Sequence, residues 1–304
     1  MKLMDSPNHR SMHTSEKSRA GGVAIFTTFI IGMSLSGLEL NTYLIASFFV
    51  VFLLGIYDDL FGSSSKIKFF WIGLASVLLF LGNIYISSVG TFLGHDFSMP
   101  IYVALFFSIF AVIGFVNAMN LIDGIDGLSS GVAIVILASY AYIGYRYEDL
   151  LLLNTSSILI VILTAFLLYN WYPSKLFMGD TGSLTLGFVI AVLSIHSVQM
   201  EYIAPVSVLL LAAVPILDTL IVMTRRILNG KSPFQPDKSH IHHILLRQHY
   251  NNVPKTSKIL ILLQMVFVYI GLGFKVRDDL VVLTVFILLF ILFYSMLTPK
   301  KVKK

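Results

Sequence analysis

Apolar runs dominate the chain, and their lengths set the first expectation. Stretches long enough to cross a bilayer, which takes roughly 17–25 residues each, lie at 22–38, 40–57, 69–88, 100–116, 128–145, 151–169, 184–200, 202–223, 258–274 and 280–297. The pattern predicts about ten transmembrane helices and an all-α, polytopic membrane fold. Polar residues gather in alternating connections: "YDDLFGSSSKIK", "NAMNLIDGIDG", "NWYPSKLFMGDTGS" and the long "RRILNGKSPFQPDKSHIHHILLRQHYNNVPKTSK". Connections on the other side, such as "GHDFSMP" and "RYED", are short and unpatterned. With no internal repeat or low-complexity tract, a single integral-membrane domain over 1–304 is expected. It would carry a polar segment at 1–21 and one large loop at 224–258, in which "SHIHHILLRQHY" has the spacing of a short amphipathic helix.

Composition agrees with this pattern. Hydrophobic residues make up 57% and charged residues only 12%, against about a quarter charged in soluble domains, and the mean hydropathy is +0.85. Cysteine is absent, which removes disulfides, thiolate metal sites and a cysteine nucleophile. The start, "MKLMDSPNHRSMHTSEKSRAGG", has no apolar core of the kind a signal peptide needs.

The net charge of +5 reflects membrane orientation, not nucleic-acid binding, because basic residues flank the spans and no aromatic-basic recognition module is present. Of the 21 Lys and Arg residues, 18 fall in the termini and the four polar connections; Arg146, Lys275 and Arg277 lie opposite. By the positive-inside rule both termini and all four polar connections are cytoplasmic.

Four constellations carry candidate chemistry. Asp58 and Asp59 end a span, where a helix prefers cations to acids. Adjacent helical positions point about 100° apart, so the two carboxylates suit different tasks. A DDxxD diphosphate motif fails, since Gly62 stands where its third acid belongs. Asn117, Asn120, Asp123 and Asp126 recur every third residue; a 3₁₀ turn would align them, and Gly124 and Gly127 suit irregular backbone. Their oxygens either hold a hydrated cation and a polar ligand or belong to an interfacial loop; the calcium-loop pattern is absent.

In "FMGDTGS", Asp180 suits Mg²⁺, which takes one or two protein carboxylates, while the glycine-rich backbone offers N–H groups to a phosphate; a plain turn is the alternative. "HIHH" places His240 and His243 on one side of a helix and His242 on another. No Cys or Glu completes a zinc set, which leaves phosphate contact, acid–base work or a surface cluster. Asp218 is set within a span and should find a partner in the bundle.

In this order the motifs "DSPNHRSMH…RAGG", "YDD", "NLIDGIDGL", "NWYPSKLFMGDTGS" and "PD.SHIHH" resemble the polyprenyl-phosphate N-acetylhexosamine-1-phosphate transferases, the glycosyltransferase 4 family, over nearly the whole chain. The resemblance implies Mg²⁺-dependent (or Mn²⁺-dependent) transfer of a sugar phosphate from a UDP-N-acetyl sugar to undecaprenyl phosphate, releasing UMP, in the bacterial cytoplasmic membrane. It makes Asp180 the main metal ligand, with Asn117 close to the metal, and sets Asp58 and Asp59 near the acceptor phosphate. Asn170, Phe177 and Asp126 match uridine-recognition positions, Asn120 a substrate-binding one, and Asp123 a catalytic-centre acid. His242 and His243 match catalytic positions and His240 a substrate contact, all near the sugar phosphate; Lys66 or Lys68 supplies a basic contact.

"HIHH" and "PNHRSMH" are similar to the branch that handles simple N-acetylhexosamines and initiates O-antigen and related surface glycans. The muramyl-pentapeptide branch, with its run of three histidines, is the less similar relative. Family members carry a further span before the "D.PN.R" loop, so the first helix is expected to be either absent or encoded upstream. A homodimer is a further expectation. The reading from a different class, a transporter, would place its site at the bilayer midplane between repeats.

Overall fold

The computed structural model describes residues 3–5, 16–233 and 240–297. The "DSPNHRSMH" motif from position 6, the "PD" of the large loop and the tail from 298 lie outside them. The elements run β1 Met4–Asp5, β2 Lys17–Ser18, α1 Gly21–Leu35, α2 Thr42–Phe61, α3 Ser65–Leu81, β3 Ser88–Phe92, β4 His95–Ser98, α4 Ile101–Ile122, α5 Leu128–Arg146, α6 Leu150–Asn170, α7 Gly179–Gln199, α8 Ser207–Leu211, α9 Ala213–Leu228, α10 Ile241–Gln248, α11 Val253–Leu272 and α12 Asp279–Leu297.

Polar caps start three of the long apolar helices, α2, α6 and α11, where the sequence changes character. Asn41 accepts from the Tyr43 N–H at 2.8 Å ahead of α2, and Asp149 accepts from Leu152 at 2.9 Å ahead of α6. Asn252 does the same for Lys255 at 3.0 Å ahead of α11. Each cap satisfies a backbone donor that the first helical turn cannot. α7 is the central helix, buried from Thr181 to Ile195 and in contact with α1, α2, α4 and α5.

Among the described residues seven helices are long and apolar enough to cross a bilayer: α2, α4, α5, α6, α7, α11 and α12. The chain is therefore a helical, multi-pass membrane protein, but ten full-length spans are not found. α1 has 15 residues and α3 has 17, and the expected span at 202–223 breaks into α8 and α9 at Ala212. Pro215 explains the break, since it has no N–H to continue the ladder. The buried Gln264 of α11 serves the exposed backbone groups, accepting from Val214 N at 3.0 Å and donating to Leu211 O at 2.8 Å.

The connection containing "GHDFSMP" is not featureless: β3 and β4 form an antiparallel hairpin there. A five-residue strand beside a span carries too short an alternation to separate it from the apolar run.

Candidate active site

The connections at 62–64, 123–127 and 171–178 and the described parts of the large loop, 229–233 and 240–252, meet at one end of the bundle. After α2 the chain turns at Gly62, and Ser64 caps α3. The reversal sets Lys68, one turn into α3, beside the end of α2. Its ammonium lies 2.9 Å from Asp58 and forms a closer ion pair with Asp180 of α7. Asp58 also accepts from the Ser63 hydroxyl. On the far side of Asp180, Asn120 of α4 donates to its carboxylate at 3.2 Å and to Ser183 at 2.8 Å. Lys66 is exposed, so Lys68 is the basic residue that reaches the cluster.

Asp59 does something else. Its carboxylate is buried and accepts from Asp180 N and Thr181 N, each at 2.9 Å, and from the Thr181 hydroxyl at 2.6 Å. It caps α7 from a neighbouring helix, a favourable place for an anion. Gly179 makes room: its φ is +68°, and a Cβ there would stand 2.7 Å from the Asp59 carboxylate. Two N–H groups of the "FMGDTGS" stretch, those of Asp180 and Thr181, are thus already engaged.

The four polar residues at 117–126 do not line up on a 3₁₀ turn. Asn117 and Asn120 sit one turn apart on α4, Asp123 ends that helix, and Asp126 lies in the turn before α5. Asn117 makes no side-chain hydrogen bond among the described residues. Burial, together with the charges of Asp180, Asp59 and Asp126, holds the Asp123 carboxyl well above the usual carboxylate range. That favours its neutral, proton-donating form.

Asp126 accepts from Ser174 N at 2.9 Å in the loop after α6. Asn170 is buried and braces that loop through its whole carboxamide. Its oxygen takes Gly127 N and the Ser130 hydroxyl, each at 3.2 Å, and its amide donates to Leu176 O at 2.9 Å. Lys17 of β2 reaches the same loop, 3.1 Å from the Ser174 hydroxyl and 5.1 Å from the centre of the Phe177 ring. Phe177 and Lys17 therefore face each other, and Ser174 links Lys17 to Asp126.

α10 forms as the spacing predicts, burying Ile241, His242, Ile244 and Leu246 and packing on α11. Asp218 finds its partner at the start of α10: one oxygen lies 2.7 Å from His240 Nδ1 and the other accepts Ile241 N at 2.6 Å. His240 and His242 are buried, their rings 5.7 Å apart, and His243 lies 4.2 Å from His242. His242 Nε2 is buried with no hydrogen-bond partner. It points at Gly124, where a Cβ would stand 2.4 Å from it. Burial pushes the His242 imidazole down to about 3, so the ring is neutral. The histidine motif and the "NLIDGIDG" turn are thereby one assembly, although His242 follows Gly124 by 118 positions.

This geometry coincides with what comparison with known proteins finds. Residues 41–198, which contain Asp58, Asp59, Lys68, Asn117, Asn120, Asp123, Asp126, Asn170 and Asp180, match the family profile described as glycosyl transferase family 4. The chain belongs to this family. It is 36% identical over 249 residues to a probable undecaprenyl-phosphate N-acetylglucosaminyl 1-phosphate transferase of Bacillus subtilis (strain 168), covering 80% of this chain and 69% of the relative. Undecaprenyl-phosphate alpha-N-acetylglucosaminyl 1-phosphate transferases of Escherichia coli O157:H7 and Yersinia pestis are also similar. The first is 31% identical over 81% of this chain and 69% of its own; the second is 30% identical over 96% and 83%.

Residues that the motifs did not single out join the candidate site. Ser63, Lys17 and Ser174 hold the flanking loops, and only the Ser run after Gly62 left a trace in sequence, as a helix-start signal.

Proposed function

We propose that this protein transfers an N-acetylhexosamine-1-phosphate, N-acetylglucosamine-1-phosphate foremost, from a UDP-sugar to undecaprenyl phosphate and releases UMP. The observation that carries this reading is Lys68 held between Asp58 and Asp180 at the end of the bundle, in a chain whose relatives are named for that transfer. The cluster lies at helix ends, where a water-soluble donor and a membrane-bound acceptor can meet, and not at the midplane site a transporter needs. The Lys and Arg bias supports a cytoplasmic position for this end and for both termini, at the bacterial inner membrane.

The donor set fits Mg²⁺. It consists of oxygen ligands, and among the described residues no three acidic or histidine side chains form a ready-made cage. A hard ion that completes its shell with water and diphosphate oxygens suits one or two protein ligands. Asp180 and Asn117 would hold it; when bound, it neutralises charge on the donor diphosphate.

The protein's own residues then divide the work. The acceptor phosphate oxygen forms a bond to the sugar-linked phosphorus as the bond from that phosphorus to the UMP oxygen breaks. Lys68 and the histidines near His242 meet the charge of the phosphoryl group, and Asp58 orients or deprotonates the acceptor. The second ionisation of a phosphate monoester, at about 6, makes orientation the larger part of that task. Phe177, Lys17 and Asp126 flank the uridine, with Asn170 bracing the loop that carries them.

Membranes containing the protein, given labelled UDP-N-acetylglucosamine and undecaprenyl phosphate, should form lipid-linked label that Asp180→Asn abolishes. Absence of product with every common UDP-N-acetyl sugar would overturn the assignment. A phosphosugar trapped on the protein with donor alone would replace direct displacement by a covalent aspartyl route.

A further inference from the structure

We infer that Asp59 is a positioning residue for the metal ligand Asp180, and makes no contact with the acceptor phosphate. This rests on the transfer reaction proposed above. Both Asp59 oxygens are occupied, one by Asp180 N and the other by Thr181 N and the Thr181 hydroxyl, and only 8% of the residue is exposed. A carboxylate has no hydrogen to offer a phosphate anion, so contact with one would be repulsive as well as sterically closed.

Its three partners all belong to the first turn of α7, which carries Asp180 as its second residue. The turn is fixed from α2 through Asp59. The same α2 presents Asp58 to Lys68, and Lys68 in turn pairs with Asp180. The adjacent acids therefore act on Asp180 from two directions: Asp59 grips its backbone, and Asp58 shares the cation on its side chain. Adjacent positions on a helix, about 100° apart, make this division possible. A preorganised ligand needs its support in place before substrate arrives.

The test uses Thr181, which is fully buried and whose hydroxyl donates to Asp59. In detergent-solubilised full-length protein, Mn²⁺ binding is followed by the paramagnetic resonance of free Mn²⁺, and KM for undecaprenyl phosphate is measured separately. Thr181→Val should weaken Mn²⁺ binding several-fold and Thr181→Ser should restore it. Asp59→Asn should weaken it at least tenfold, because an amide can serve fewer of the three donors. Adding Thr181→Val to Asp59→Asn should bring little further loss, and acceptor KM should stay within about twofold throughout.

Wild-type Mn²⁺ binding in Thr181→Val, or a tenfold rise in acceptor KM in Asp59→Asn, overturns the inference. Should Asp59→Asn fail to fold, the Thr181→Val and Thr181→Ser pair decides alone. Mn²⁺ binding that follows the expected order without any sugar-phosphate transfer by the wild-type protein would sink the transfer reading and leave the positioning role standing.

Discussion

The two ends of the helix bundle use buried aspartates differently. At the end away from the candidate active site, Asp149 accepts from Leu152 N, lies 2.8 Å from His196 Nε2 and takes the Tyr202 hydroxyl at 3.2 Å. Asp279, fully buried at the start of α12, accepts Thr91 N at 2.8 Å and Val206 N at 3.1 Å, tying the β3–β4 hairpin and the approach to α8 to one carboxylate. At the active-site end Asp59 and Asp218 play the same structural part. What differs is the remainder: Asp58 and Asp180 share Lys68, while the Asp123 carboxyl makes no hydrogen bond among the described residues. A buried acid therefore does not mark a site by itself; converging acids with too few donors do, because they can accept a cation or a proton.

The comparison breaks most readily at Asp180. Asp180→Asn should lower kcat by roughly 10²–10³-fold, as removal of a main electrostatic element does, with little loss of folded protein in a detergent thermal-unfolding assay. Gly124→Ala comes next. The new methyl must displace the buried His242 ring; with His242 in the active site as proposed, a displacement near 1 Å costs on the order of 10²-fold in activity. Steady-state kinetics checks this, and normal activity would remove His242 from the site.

Asp279→Ala should show the reverse pattern. It orphans the N–H groups of Thr91 and Val206, at roughly 1–3 kcal/mol each, so unfolding should come at lower temperature while kcat of the surviving fold stays near wild type. Loss of activity without loss of stability would erase the distinction between the two ends.

The smallest effect is on pH dependence. The His242 imidazole is held at about 3 by burial, against an ordinary 6.5, so between those values the unfolded chain binds a proton that the folded chain refuses. Its contribution to stability is complete above 6.5 and declines as pH falls toward 3. Asp149 is shifted below its ordinary 3.8, against the cost of burial, by the Leu152 N–H, His196 and Tyr202. Its contribution is complete above 3.8 and is lost only below that. His242→Phe should therefore flatten the pH dependence of the unfolding temperature between about 6.5 and 3 and leave the part below about 3 unaltered.

Much of this was written locally. The apolar runs place most helices, the caps Asn41, Asp149 and Asn252 stand at helix starts, and the "YDD", "NLIDGIDG", "MGDTG" and "HIHH" motifs all come to one end. The break at Ala212 was missed because Pro215 alone does not reveal that Gln264, about 50 positions away, will serve the broken ladder. The hairpin at 88–98 was hidden for a related reason, since the buried Asp279 that anchors it comes from α12.

Sequence by itself determined the membrane class, the side on which polar chemistry gathers and the family, because hydropathy, charge bias and ordered motifs are properties of single residues and short spacings. Only the tertiary structure separated Asp58 from Asp59, chose Lys68 over Lys66 and showed Asn170 bracing the loop after α6. Those distinctions depend on which donors surround each oxygen in space, and neighbours brought from α3, α4 and α7 have no fixed spacing along the chain.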